Sequence, residues 1–122
     1  EEEHEEETIG RKESIIQSSR KILDSYPQIT GIVAENDDIA EVIIKEAKKK
    51  KIRVPEDLAI ISCDNKEIAS QMKPRLSSVE IPAERMGRKA VSVLRKCIKN
   101  NIRSYNIIFP GDIIFRESCG CE

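Results

Sequence analysis

Two short polar runs carry most of the chemistry open to this sequence: Glu35-Asn36-Asp37-Asp38 and Ser62-Cys63-Asp64-Asn65. Each follows an apolar run, residues 29–34 and 58–62, of the length and composition of a strand buried on both faces. If the two strands are neighbours in an open α/β sheet, both runs lie beyond its carboxyl edge, where such sheets bind ligands. Asn36 offers two donors and an acceptor, and Asp64 offers acceptors only. Together they suit hydroxyl-rich or amino-bearing small molecules such as sugars, nucleosides or similar polar metabolites. Glu35 and Asn65 extend the set. Asn36 or Asp37 could equally cap the helix that follows, as Asn and Asp commonly do. Asp37, Asp38 and Asp64 would make a magnesium cluster only in a rigid octahedral setting, so neither a metal nor a cofactor is expected.

Catalytic groups are scarce elsewhere. The single histidine, His4, sits in a glutamate run, and there is no nucleophile elbow or phosphate-cradling glycine loop. The chain is therefore expected not to be an enzyme. The four cysteines (Cys63, Cys97, Cys119, Cys121) are too few for a disulfide scaffold and read as reduced thiols of an intracellular, cytoplasmic domain. Cys119 and Cys121 lack the second ligand pair that a zinc site needs. Lys45, Lys48 to Lys51 and Arg53 form a basic cluster, but cations at a helix end complement its dipole, and charge alone gives only non-specific contact with nucleic acid. Aromatic residues make up 3% of the chain, too few for a base-stacking surface.

The 122 residues suffice for one domain. Six glutamates among the first seven positions balance the charge; without them 21 basic residues face 16 acidic ones. Residues 1–12 read as an acidic, mobile end and residues 13–122 as a single lobe. Helices are predicted over 13–25, 37–50 and 83–99, with a short one at 67–72. In the first, Ile15, Ile16, Ile22 and Leu23 share a face with Ser19; in the third, Met86, Ala90, Val93, Leu94 and Cys97 do. Strands are predicted at 29–34, 58–62, 78–81, 105–109 and 113–115. Alternating helices and strands argue for an α/β fold, a parallel sheet with flanking helices. No apolar run reaches the roughly 18–20 residues of a membrane span, so no membrane contact is expected.

Four motifs then resemble a known family. Residues 31–40, GIVAENDDIA, resemble the ANDxxA segment of LacI/GalR-type regulators. Residues 52–65, IRVPEDLAIISCDN, resemble that family's LRVPEDVSVVGFDD; residues 76–90 resemble its LTTVRQPxxxMGxxA; and Phe115-Arg116-Glu117-Ser118 resembles its RES ending. The resemblance implies the C-terminal half of a type I periplasmic-binding-protein-like fold, incomplete without a second lobe. It implies a sensor that binds a small-molecule effector in an inter-lobe cleft and couples binding to the geometry of a homodimer. DNA would be reached only through a domain absent from this chain. Asn36 and Asp64 match effector-contacting positions, and Ile81 stands where the family often has a ligand-facing glutamine. Ser62-Cys63 replaces the usual glycine and aromatic residue, and Lys51 replaces a helix-ending glycine. Ile68, Met72 and Leu76 would anchor the dimer, and helix 83–99 would cross over to pack on the other lobe. The Ser-Cys-Gly-Cys tail also resembles sensors fused to other outputs: AraC-type regulators, histidine kinases or diguanylate cyclases. A solute-binding protein is a further alternative.

Overall fold

A computed structural model describes the backbone of residues 2–121 and the side chains of residues 10–121. The chain runs α1 (Glu2–Ser25), β1 (Gly31–Val33), α2 (Asp37–Lys49), β2 (Ala59–Cys63), α3 (Glu67–Gln71), β3 (Ser77–Glu80), α4 (Ala83–Asn100) and β4 (Asp112–Ile114), and closes on a 3-10 helix, Glu117–Cys119. The sheet order is β1-β2-β3-β4. Gly31 pairs with Ala59 and Ser62 with Ser78, both in parallel ladders, so β1, β2 and β3 end on the same edge.

The core forms because α2 carries an apolar stripe at helical spacing. Ala40, Ile43, Ile44 and Ala47 lie buried in one cluster with Ala34, Leu58 and Ile60, and with Leu23 of α1. Fully burying a side chain such as Leu58 or Ile60 contributes roughly 1.5–3 kcal/mol. From the predicted stripe of α1, Leu23 and Ser19 are buried whereas Ile22 points outward. The Ser19 hydroxyl donates to the Ile15 carbonyl at 2.8 Å, which lets a polar side chain sit on an inward face.

Three expectations are corrected. The first helix begins at Glu2 rather than near residue 13. The expectation of a mobile end over residues 1–12 falls mostly on residues 1–9, whose side chains lie outside the described residues. The sheet is not wholly parallel: β4 runs antiparallel to β3, with Asp112 opposite Glu80. The cause is α4, none of whose residues is buried. It does not return across the sheet as a crossover, so the chain re-enters at the end of β3 it had left. Gly111 allows that entry, since a Cβ there would stand 2.7 Å from Val79 Cγ1 and 3.0 Å from the Glu80 carbonyl oxygen. Finally, residues 105–109 are not a strand. Tyr105, Ile107 and Phe109 instead line a groove with Met86, Ala90, Val93 and Cys97 of α4.

Lys51 takes a left-handed φ of 59° just beyond α2, in a position that glycine would occupy without strain. The lysine run leading to it supplies Lys48 and Lys49 to the last turn, where the helix dipole favours cations.

Glu46 fastens α1 to α2. Its carboxylate accepts from Arg20 Nε and from Lys49 Nζ, both at 2.6 Å, while its side chain is only 4% exposed. The hydrogen bond from Arg20, seconded by that from Lys49, holds its pKa at about 2, against an ordinary 4.5. A depressed carboxylate stabilises the fold fully above its unfolded pKa and loses that contribution as pH falls through the folded one. The Glu46 contribution is thus complete above about pH 4.5 and fades toward pH 2. Glu46→Gln is expected to lower the melting temperature at pH 7 and to converge on the parent protein as melts are repeated down to pH 2. A difference independent of pH would contradict this. Asp57, held near 2 by hydrogen bonds from Arg53, titrates in the same window in both proteins and cancels in the comparison.

Candidate functional site at the carboxyl edge of the sheet

The loops leaving β1 and β2 meet at one edge because Asp37 ties them together. Asp37 is fully buried. Its carboxyl group accepts from the hydroxyl of Ser62, from the hydroxyl of Ser78 at 2.8 Å and from the backbone N–H of Lys66 at 2.6 Å. The two serines face each other across the β2–β3 ladder, so one side chain at the first turn of α2 binds the ends of both strands and the following loop. Above it, Lys66 Nζ meets Asp38 Oδ2 at 2.6 Å. This hydrogen bond, against a smaller opposing effect of desolvation, raises the lysine's pKa.

Asn36, not Asp37, caps α2: its Oδ1 accepts from Ile39 N at 3.0 Å. Its Nδ2 has no partner among the described residues and remains a free donor. Asp64 follows β2 with φ 99° and its N–H donates to the Val79 carbonyl at 3.0 Å. No hydrogen bond to its carboxyl group is seen among the described residues. Asp64 and Asn65, the latter at φ 52°, are consecutive non-glycine residues with positive φ, a conformation that costs energy and concentrates at functional sites.

Asn65 is held rather than open. Its N–H donates to Ser78 Oγ at 3.0 Å, its Nδ2 to Glu80 Oε1 at 3.2 Å, and its Oδ1 accepts from Arg116 Nη2 at 2.7 Å. Arg116 also donates to the Leu76 carbonyl at 2.6 Å. Glu35 and Ile81 are both exposed at this edge. The structure therefore brings Asn36, Asp64, Glu35 and Ile81 to the end of the sheet, with Asn65 as a brace between them and the chain's last turn. A groove that touches Asn36 runs between α1 and α2, lined also by Arg11, Ile15 and Ile39; Asp64 is not on its wall. That groove therefore does not contain both groups.

Two residues were missed at the sequence level. Asp37 is a buried tie between strands rather than a candidate cap, and Arg116 braces Asn65 rather than merely belonging to a terminal motif. The available signal for Asp37 was a pair of serines at the ends of two apolar strands, which need a buried polar partner. The three residues expected at a dimer interface require a correction. Leu76 has no exposed surface and Met72 is 8% exposed, both inside the core cluster, so neither has a face to offer a partner. Ile68 packs half-buried against the same cluster and alone of the three keeps accessible surface.

The chain matches the periplasmic binding protein-like domain over residues 1–119. It is 36% identical over 100 residues to the NTD biosynthesis operon regulator NtdR of Bacillus subtilis, covering 80% of this chain and 30% of that protein. The transcriptional regulator IdnR of Escherichia coli is 34% identical over 100 residues, covering 82% and 30%. Among solved structures, the regulator CelR in complex with cellobiose superposes with a TM-score of 0.78 at 26% identity, covering 87% of this chain and 33% of that one. A LacI-family regulator from Arthrobacter in complex with lactose gives 0.71 at 26% identity, covering 86% and 41%. The chain belongs to the periplasmic binding protein-like domain family. Within it, the chain is similar to part of these transcriptional regulators and spans about 30% of the curated relatives it matches. Both of those curated relatives are named as regulators. No helix among the described residues is long and apolar enough to cross a membrane.

Proposed function

We propose that this lobe supplies one jaw of an effector-binding cleft, with the Asn36 amide and the Asp64 carboxyl group as its polar contacts. The observation that carries the reading is that these two groups stand at the ends of adjacent parallel strands with hydrogen-bonding capacity unspent. Asp37 meanwhile absorbs the polar groups beneath them. The ligand class is a small polyhydroxylated or amino-bearing metabolite. The cellobiose and lactose complexes of two structural relatives support sugars as its first members. Cys63 and Ile81, in place of a ring and an amide, give this jaw a less polar wall with no aromatic platform. The parent protein acts in the cytoplasm as a DNA-binding homodimer, reading DNA through a domain outside this chain. Effector binding shifts its subunit geometry because the ligand favours one lobe arrangement over the other. Ile68 is the residue we retain for the dimer contact.

The test uses the full-length regulator, titrated calorimetrically with cellobiose, lactose, ribose and a nucleoside. At least one is expected to bind saturably. Asp64→Ala is expected to weaken that binding by about 10–100-fold, the worth of a hydrogen bond to a charged group. Binding unchanged by Asp64→Ala would remove this residue from the site.

A further inference from the structure

The last turn of the chain holds a pair of thiols that effector binding does not use. We propose that Cys119 and Cys121 form a thiol–disulfide exchange site, with Cys119 the attacking thiol toward a low-molecular-weight disulfide of the glutathione type and Cys121 the resolving one.

The geometry starts from Gly120. It adopts φ 69° and its N–H donates to the Glu117 carbonyl at 3.2 Å, so the chain turns sharply between the two cysteines. A disulfide tolerates Cα separations of about 4.4–6.8 Å. Residues two apart in extended chain sit near the upper limit, at roughly 6.6 Å, and a turn shortens the span. Both thiols lie against backbone carbonyls of this same turn: Cys119 Sγ donates to the Arg116 carbonyl and Cys121 Sγ to that of Cys119, each at 3.6 Å. A Cβ on Gly120 would touch Pro55 at 3.5 Å in a backbone region that side chains avoid, so the residue between the cysteines is suited to glycine.

The turn is also rigidly presented. Ser118 Oγ donates to the Ile60 carbonyl at 2.6 Å and accepts from Ser77 N at 2.8 Å. The Glu117 carboxylate accepts from the backbone N–H of Arg75 at 2.7 Å. Cys119 is half-buried and Cys121 exposed, an arrangement in which a small disulfide can approach from solvent. Their reactivities are set apart as well. Burial pushes the Cys119 thiol up, but side-chain hydrogen bonds with Ser77 and Cys121 lead the effects that outweigh it and leave its pKa below the ordinary value. The hydrogen bond with Cys119, joined by burial, raises that of Cys121. The thiolate is the nucleophile, and Cys119, held in place through its anchored neighbour Ser118 and still part-exposed, is positioned to attack first.

In the first step the Cys119 thiolate attacks one sulfur of R–S–S–R. A Cys119–S–S–R bond forms and RS⁻ leaves, taking a proton from solvent. Cys121 then loses its proton to solvent and attacks Cys119 Sγ, expelling the second RS⁻. The protein loses two electrons and two protons, and the small disulfide becomes two thiols.

The experiment incubates the native protein with oxidised glutathione, quenches in acid, and alkylates under denaturing conditions before peptide mass analysis. The expected result is loss of two of the four alkylatable thiols. Both should fall in the peptide holding Cys119 and Cys121, with Cys63 and Cys97 still free. Cys121→Ser should stop at a glutathione adduct on Cys119, and Cys119→Ser should form its adduct on Cys121 several-fold more slowly. Four free thiols after equilibration would overturn the proposal. So would a bridge to Cys63, Cys97 or a second chain, or equal adduct rates in the two variants.

Discussion

Asp37→Ala is expected to lower the unfolding free energy by about 3–5 kcal/mol, because it strands three donors that share one acceptor group. A buried donor left without a partner costs about 1–3 kcal/mol, and water entering the space recovers part of the total. The Lys66 N–H and the two serine hydroxyls lie beneath the sheet edge, and both serines are fully buried. Asp37→Asn keeps the shape and one acceptor oxygen but turns a second donor toward one of the three groups, so it should fall between the parent and the alanine variant. Urea denaturation of the three proteins measures the series. The loss should also reach the site, since Ser78 hands the Asn65 N–H its acceptor. If Asp37→Ala melts within 1 °C of the parent, the carboxyl group is not what joins these strands.

Leu76→Ala carries a comparable penalty by a different route. The side chain is wholly enclosed in the core cluster, and deleting a buried leucine to alanine costs about 2–5 kcal/mol through lost transfer energy and the cavity left behind. Against a domain stability of roughly 5–15 kcal/mol, either substitution brings a large fraction of the chain toward unfolding. The experiment also separates two roles for this residue. A core leucine lowers the denaturation midpoint equally at low and high protein concentration, whereas an interface leucine would leave a folded protein and shift only its state of association. The former is expected from equilibrium unfolding repeated over a hundredfold concentration range.

What the sequence disclosed follows from how local each feature is. The helix from residue 37 and the strand ending at Cys63 were legible because their apolar spacing repeats within one segment, and the structure places them within a residue or two of expectation. Asn36 and Asp64 were legible because strand ends in an α/β sheet fall together whatever the side chains do. The errors lie where the deciding partner is remote. Residues 105–109 have the composition of a strand, yet they lie beside α4 rather than in the sheet. The direction of β4 depended on α4 not crossing back, which periodicity within α4 does not reveal. Asn65 reads as a free amide until Arg116, far along the chain, is seen to hold it. Asn36 and Asp37 are both good capping residues, and only the two serines decide which of them turns inward. For Ile68, Met72 and Leu76, an apolar triplet on a loop has the same spacing whether it meets its own core or a neighbour.

The bare α4 has a consequence for how this chain varies over evolutionary time. None of its eighteen positions is buried, so the folding of the lobe exerts little purifying pressure on them. Ala40 and Ala47, at zero accessibility, leave no space for an added methylene. Aligned descendants should therefore show two tempos of substitution: a slow one set by crowding along α2, and a faster one along residues 83–100, where packing within the lobe imposes little.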